Sequence, residues 1–215
     1  MRAATFGAMD GLVSNTALIA GVAASASAHT VVISGVAGLL AGAFSMALGE
    51  YTSVNTANEQ IESEVLLERK SFRSSPTAER AELVEMLIEM GMSPQTAATA
   101  TDEIHQDENR AVHFHLTQEL GVDPREKPSP WVAALASFFL FAIGAVIPLI
   151  PYLMGFESLL AGLAFGGVGL LMAGAGAARV TRKPLWLGSV RQLALGAIAI
   201  GATYFVGYLI GGVVT

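Results

Sequence analysis

Hydrophobic and polar positions divide this chain sharply. Five stretches stay apolar for about 20 residues, the length that crosses a bilayer as helix: roughly 8–28, 31–54, 131–153, 157–178 and 187–212. A very short turn separates the first two, which predicts an antiparallel hairpin. The third and fourth form another, joined near Met154-Gly155-Phe156-Glu157. The second stretch runs into polar sequence with no Pro or tight-turn signal. AGAFSMALGEYTSVNTANEQIESE, residues 41–64, begins membrane-like and ends carrying Glu50, Glu59, Glu62 and Glu64. One helix is therefore expected to continue to about residue 72.

The polar segment reads as helical throughout. Ser75-Pro76 breaks the long helix, with Pro near the first turn of the next. Residues 77–90 place Leu83, Met86, Leu87 and Met90 at spacings of three and four, one helix face. Gly91 is a natural stop, and Ser93 an N-cap for a helix to about 106. A last helix spans 107–120 before Gly121, and Pro124, Pro128 and Pro130 mark a linker back to apolar sequence. Pro148 and Pro151 interrupt the third apolar stretch. The backbone carbonyls they free need protein or a cavity to receive them.

Composition and charge sharpen the picture. The chain has 215 residues, 53% hydrophobic and 14% charged, far from the roughly 25% charged of soluble domains. The 23 glycines fall largely inside apolar stretches, where close helix packing explains them. No cysteine is present, which excludes disulfides, thiolate metal sites and Cys nucleophiles. The N-terminus lacks the features of a cleaved signal peptide, so the first apolar stretch is expected to be retained. Residues 56–128 hold 15 of the 18 acids, 7 of the 12 bases and three of the four histidines, a net charge of −8. An overall charge of −6 argues against a nucleic-acid partner.

Lys and Arg in short loops set orientation. The loop ARVTRKPLWLGSVRQ carries Arg179, Arg182, Lys183 and Arg191 with no acid, and is expected in the cytoplasm. Counting back puts the acidic insertion and the N-terminus with Arg2 inside, and the C-terminus outside. Arg125 and Lys127, inside beside the third stretch, agree. The fold class is thus an all-α integral membrane protein, five transmembrane helices with a helical cytosolic insertion between helices 2 and 3. Its parts are 1–55 (helices 1–2), 56–128 (the insertion) and 129–215 (helices 3–5).

Candidate chemistry lies in both parts. Glu59 and Glu62 share a helix face, as do Glu64 and Glu68; Glu79, Glu82, Glu85 and Glu89 recur at three and four on the next helix. Like charges so spaced weaken a helix by a few tenths of a kcal/mol per pair. Two readings fit: a solvated acidic face, with Arg80 neutralising some of it, or a divalent-cation site of oxygen and imidazole ligands. His113 and His115 diverge on a helix, so at most one joins a given site. His115 can converge with Glu119; His105, near Asp102, reads as a simple surface residue. Asp10 is ionisable within a spanning helix, which makes it a functional candidate or an interface residue. Met46, one to two turns from Glu50, reads as packing or a soft ligand. Asn15 and Ser45 are polar neighbours. No catalytic constellation, Walker-type loop or nucleotide-binding glycine pattern stands out, so no enzyme and no prosthetic group is expected.

MDGLVSNTALIAGV in helix 1, AGAFSMALGEY in helix 2, the acidic insertion and IPLIPY in helix 3 resemble the vacuolar iron transporter family, in a bacterial form. Order and spacing agree over nearly the whole chain. The resemblance implies five membrane helices in a homodimer with the pathway between helices 1–2 of each subunit. It implies transport of Fe(II), often Mn(II), out of the cytosol in exchange for protons, here across the bacterial inner membrane. It places Asp10 and Met46 on the ion path, and Glu59, Glu62, Glu68, an acid such as Glu79 or Glu82, and Glu119 as metal ligands of the insertion. Glu50 would pass the ion from that cluster towards Met46 and Asp10. Two departures from the plant pattern stand out. Gly38-Leu39-Leu40 replaces a mid-membrane Glu, and His115-Leu116 replaces a Met pair, which suggests His115 as the substitute ligand. The competing readings are a membrane-anchored metal buffer or sensor and a structural protein whose acidic helices bind a basic partner.

Overall fold

The computed structural model describes residues 2–119, 121 and 123–214, with side chains for 7–211 among these. Arg2 is thus described by its backbone alone. All regular elements among the described residues are helices: α1 (Arg2–Ala23), α2 (Ala28–Ser74), α3 (Pro76–Glu89), α4 (Pro94–Ile104), α5 (Glu108–Glu119), α6 (Pro130–Val146), a 3-10 turn (Ile147–Leu149), α7 (Ile150–Leu153), α8 (Leu159–Val180) and α9 (Leu185–Val214). The chain divides into two compact units, one of residues up to Thr52 with those from Pro130 on, the other Ser53–Ser129. The expected continuity past residue 54 is present, since α2 is one helix of 47 residues.

Among the described residues, four helical stretches are long and apolar enough to cross a membrane, against the five expected: Ala28–Ser74, Pro130–Leu153, Leu159–Val180 and Leu185–Gly211. α1 packs against α6, α8 and α9 in the same unit. Hydrophobic burial cannot drive helices together in lipid, so close backbone approach must. It does so at glycines. A Cβ on Gly144 would strike the carbonyl oxygen of Ala8, and one on Gly11 that of Phe141, which fixes the α1–α6 crossing. The same reciprocity joins Gly174 and Gly188 across α8 and α9. Two apolar clusters fill the interior, Ile19, Val31, Leu149 and Tyr152 in one and Ala43, Phe141 and Ala145 in the other. Pro148 and Pro151 interrupt the third apolar stretch as expected, with α6 giving way to the 3-10 turn and then α7. One carbonyl beside the break, Ala145 O, accepts a hydrogen bond from Asn15 Nδ2 at 2.6 Å.

The second unit has its own core of Leu83, Leu87 and Ala97, with Val84, Met86, Ala100, Ile104 and Phe114 packed against it. Ser93 caps α4, its Oγ accepting from Thr96 N at 3.3 Å. Gly91 has φ +99°, a left-handed conformation that suits glycine. Met90 departs from expectation: it is 52% exposed. α3 ends at Glu89, so Met90 is the C-cap residue and leaves the face that Leu83 and Leu87 share. Arg80 pairs with Asp102, at 2.6 Å and 3.1 Å, rather than with the Glu run.

Candidate metal centre

Most of the sequence-predicted residues gather at two places, one in each unit. In the membrane unit, Asp10, Ser14, Asn15 and Leu18 of α1, Gly38, Gly42, Ser45 and Met46 of α2, and Phe141 of α6 line a cavity of about 330 Å³. Asn15 is buried; its amide donates to Ala145 O while its Oδ1 has no hydrogen-bond partner. A lone acceptor in an apolar wall costs free energy unless something meets it. Ser14 Oγ donates to Asp10 O at 2.7 Å, leaving the Asp10 carboxylate free of that hydroxyl. The Met46 thioether lies beside Gly7, close to where a Cβ would stand. The cavity is therefore lined by residues that carry a carboxylate, an amide, hydroxyls and a sulfur. Glu50 is half-buried on α2 and is not among the lining residues.

In the other unit, Glu68 of α2, Glu79 of α3 and His115 of α5 each offer one ligand atom, and the three atoms lie within 4.8 Å of one another. His115 Nδ1 is 3.2 Å from Glu68 Oε1 and 3.7 Å from Glu79 Oε2. His115 is almost fully buried, at 1% exposure. Glu79 sits in the first turn of α3, and His115 on the buried side of α5 with Ala111, Val112 and Leu116. Glu68 Oε1 is buried with no hydrogen-bond partner, despite the nearby imidazole.

The electrostatics fit a cation site. Burial first, then the charges of Glu79 and Glu119, a hydrogen bond with Glu79 and the charge of Glu82, push the Glu68 carboxyl up to about 7. Burial and the charges of Glu82 and Glu119 also raise Glu79, while its bond with Glu68 opposes them. Burial, aided by neighbouring His105, pushes His115 down to about 4, so the ring is neutral near pH 7 and a nitrogen lone pair is available. Two carboxylates and a neutral imidazole suit Fe(II), Mn(II) or Zn(II).

The structure brings together Glu68, Glu79 and His115, with Glu82 and Glu119 near enough to act on them by charge. Glu59 and Glu62 are held elsewhere. Glu59 accepts from Asn55 Nδ2 at 2.7 Å, and Glu62 from Lys127 Nζ at 2.7 Å. His113 turns away from His115, as expected, and pairs with Asp123 at 2.9 Å. His105 is not a simple surface residue. It is half-buried, its Nε2 lies 3.3 Å from His115 Nε2, and its ring packs on Phe72. No spacing rule within one helix could have found this contact, because it joins the end of α4 to the buried side of α5.

The chain matches the VIT family over residues 1–208. It is 32% identical to a vacuolar iron transporter of Acanthamoeba castellanii, over 97% of this chain and 78% of that protein. It is 30% identical to vacuolar iron transporter 1 of Oryza sativa subsp. japonica, over 95% and 82%. With vacuolar iron transporter 1 of Arabidopsis thaliana it shares 31% identity, over 72% and 62%. A match across nearly the whole chain, membrane helices and acidic insertion together, makes this protein a member of the VIT family.

Proposed function

We propose that the protein is a divalent metal transporter that exports Fe(II), and also Mn(II), from the cytosol in exchange for protons. The observation that carries this reading is the buried Glu68–Glu79–His115 cluster, whose Glu68 Oε1 has no hydrogen-bond partner. A divalent cation supplies that partner and offsets the mutual repulsion of the acids. Glu82 and Glu119 add negative charge around it. Relatives that bear the name vacuolar iron transporter support iron as cargo.

The reading has the insertion collect metal on the cytosolic side and the membrane cavity pass it on. Asp10, Asn15 and Met46 serve as the path, with Glu50, between Met46 and the cluster in sequence, as a relay. Five spans are inferred, α1 included, with the N-terminus and insertion inside and the C-terminus outside, in a bacterial inner membrane. Arg179, Arg182, Lys183 and Arg191 support that orientation. A homodimer through α1 and α2 is part of the reading. Its support is an apolar stripe on α2, Ile33, Val36, Leu40, Phe44 and Leu48, exposed in the single chain. Proton exchange follows from chemistry, since carboxylates bind metal and protons competitively.

The alternative is a metal buffer anchored in the membrane. The number of ions moved per protein separates the two. Proteoliposomes that accumulate many Fe(II) ions per chain under a pH gradient establish transport. Saturation near the binding stoichiometry, with or without a gradient, establishes a buffer.

A further inference from the structure

His105 stands outside the Glu68–Glu79–His115 cluster but touches it. It is the C-cap residue of α4, with its ring centroid 5.5 Å from that of His115 and 4.8 Å from that of Phe72. The two Nε2 atoms are 3.3 Å apart. Between two neutral imidazoles such a contact holds one proton, so one Nε2 donates and the other accepts.

The two arrangements differ at the cluster. If His105 donates, the proton of His115 sits on Nδ1, the atom that faces the carboxylates. Nδ1 is 3.2 Å from Glu68 Oε1, yet that oxygen has no hydrogen-bond partner, so a proton on Nδ1 is not aligned with it. If His115 donates from Nε2, its Nδ1 keeps a lone pair on the ring edge nearest Glu68 Oε1 and Glu79 Oε2, 3.2 Å and 3.7 Å away. Only this second tautomer gives the cluster three lone-pair ligands. A histidine that binds metal through one nitrogen generally donates its other N–H to an outer partner, which fixes ring and tautomer. Carboxylates or carbonyls are the usual partners; here an imidazole adds no further negative charge beside four acids.

We propose that His105 is a positioning residue: by accepting the Nε2–H of His115 it holds the Nδ1 lone pair of His115 towards Glu68 and Glu79. Phe72 lies one helical turn beyond Glu68 on α2 and packs on the His105 ring, so one helix supplies both a ligand and the support for the acceptor. This inference rests on the reading of the cluster as a metal site.

The test uses the full-length protein in micelles, labelled with ¹⁵N in its four histidines. Long-range ¹H–¹⁵N spectra report which nitrogen of each ring carries the proton. Without metal, His115 is expected as the Nε2–H tautomer. On adding diamagnetic Zn(II), the Nδ1 signal of His115 moves and the His105 nitrogens show no coordination shift. His105→Phe, which cannot accept, weakens Zn(II) binding by roughly 10–100-fold, the usual range for an outer-shell partner. His105→Gln, which can accept through its side-chain oxygen, recovers most of the affinity. A proton on His115 Nδ1 in the metal-free protein overturns the proposal, as does a coordination shift at His105 Nε2 or wild-type affinity in His105→Phe. If His105→Phe fails to fold, the wild-type tautomer still decides. Zn(II) that moves no histidine signal overturns the metal-site reading itself, a result distinct from the wrong tautomer with a normal Zn(II) shift at His115.

Discussion

Metal binding at the insertion should depend on pH chiefly through Glu68, with Glu79 raised in the same direction. Its carboxyl is pushed up to about 7, chiefly by burial and then by the charges of Glu79 and Glu119. Metal needs the ionised form. With a pKa of about 7, roughly a tenth of the metal-free protein is ionised there at pH 6 and roughly nine tenths at pH 8. Affinity for Mn(II) should therefore rise about tenfold between those values, about 1.4 kcal/mol. Nearly one proton should be released per metal bound at pH 6. His115, pushed down to about 4, stays neutral over this range and adds nothing to the slope. Titration calorimetry on the full-length protein, in buffers of different ionisation enthalpy, measures affinity and proton release together. Glu68→Gln should bind more weakly and lose most of the slope. A flat wild-type profile from pH 6 to 8, or an undiminished slope in Glu68→Gln, would refute this dependence. The sign for stability runs the opposite way. The folded carboxyl holds its proton up to about 7 and the unfolded one only to about 4.5. Stability of the metal-free protein from this group is present below about 4.5 and falls as pH rises towards 7.

Other expectations follow from the packing and from the residues that stand apart. Glu59→Gln and Glu62→Gln should leave Mn(II) affinity of the cluster within about twofold, because Asn55 and Lys127 hold those carboxylates; the exposed Lys127–Glu62 pair should contribute no more than about 1 kcal/mol to stability. Leu83→Ala removes a fully buried side chain from the α3–α4 core and should destabilise the insertion by about 2–5 kcal/mol, read as faster amide exchange confined to α3–α5 of the intact chain. Gly144→Val drives a side chain onto the Ala8 carbonyl, so α1 and α6 must separate at a cost of about 1–3 kcal/mol or more, seen as a lower melting temperature in detergent.

Much of this architecture is legible in the sequence because bilayer length and helix period are strong local signals. The unbroken α2, the Ser93 cap, the Gly91 stop and the proline interruption of the third apolar stretch are all decided by neighbours in the chain. The buried side of α5 is legible in part: the divergence of His113 from His115 is a property of one helix. Contacts between helices are not so encoded. Glu59 and Glu62 share a face with each other, but their distance from Glu79 depends on how α3 folds back, and that placed Glu68 at the cluster instead. His105 reads as surface from its nearest neighbours, and only the tertiary arrangement sets it against His115 and Phe72. The receiver for the Ala145 carbonyl is Asn15, 130 residues away in sequence.

The proposed transport depends on Asp10 and Met46 in the membrane cavity. The most direct measurement follows Fe(II) entry and lumenal pH together, in anaerobic proteoliposomes of wild type, Asp10→Ala and Met46→Ala. Wild type should take up Fe(II) in a way that depends on an acidic lumen and drives proton efflux, and each variant should lose both fluxes while Mn(II) binding at the insertion persists. Wild-type flux in Asp10→Ala and Met46→Ala would contradict it.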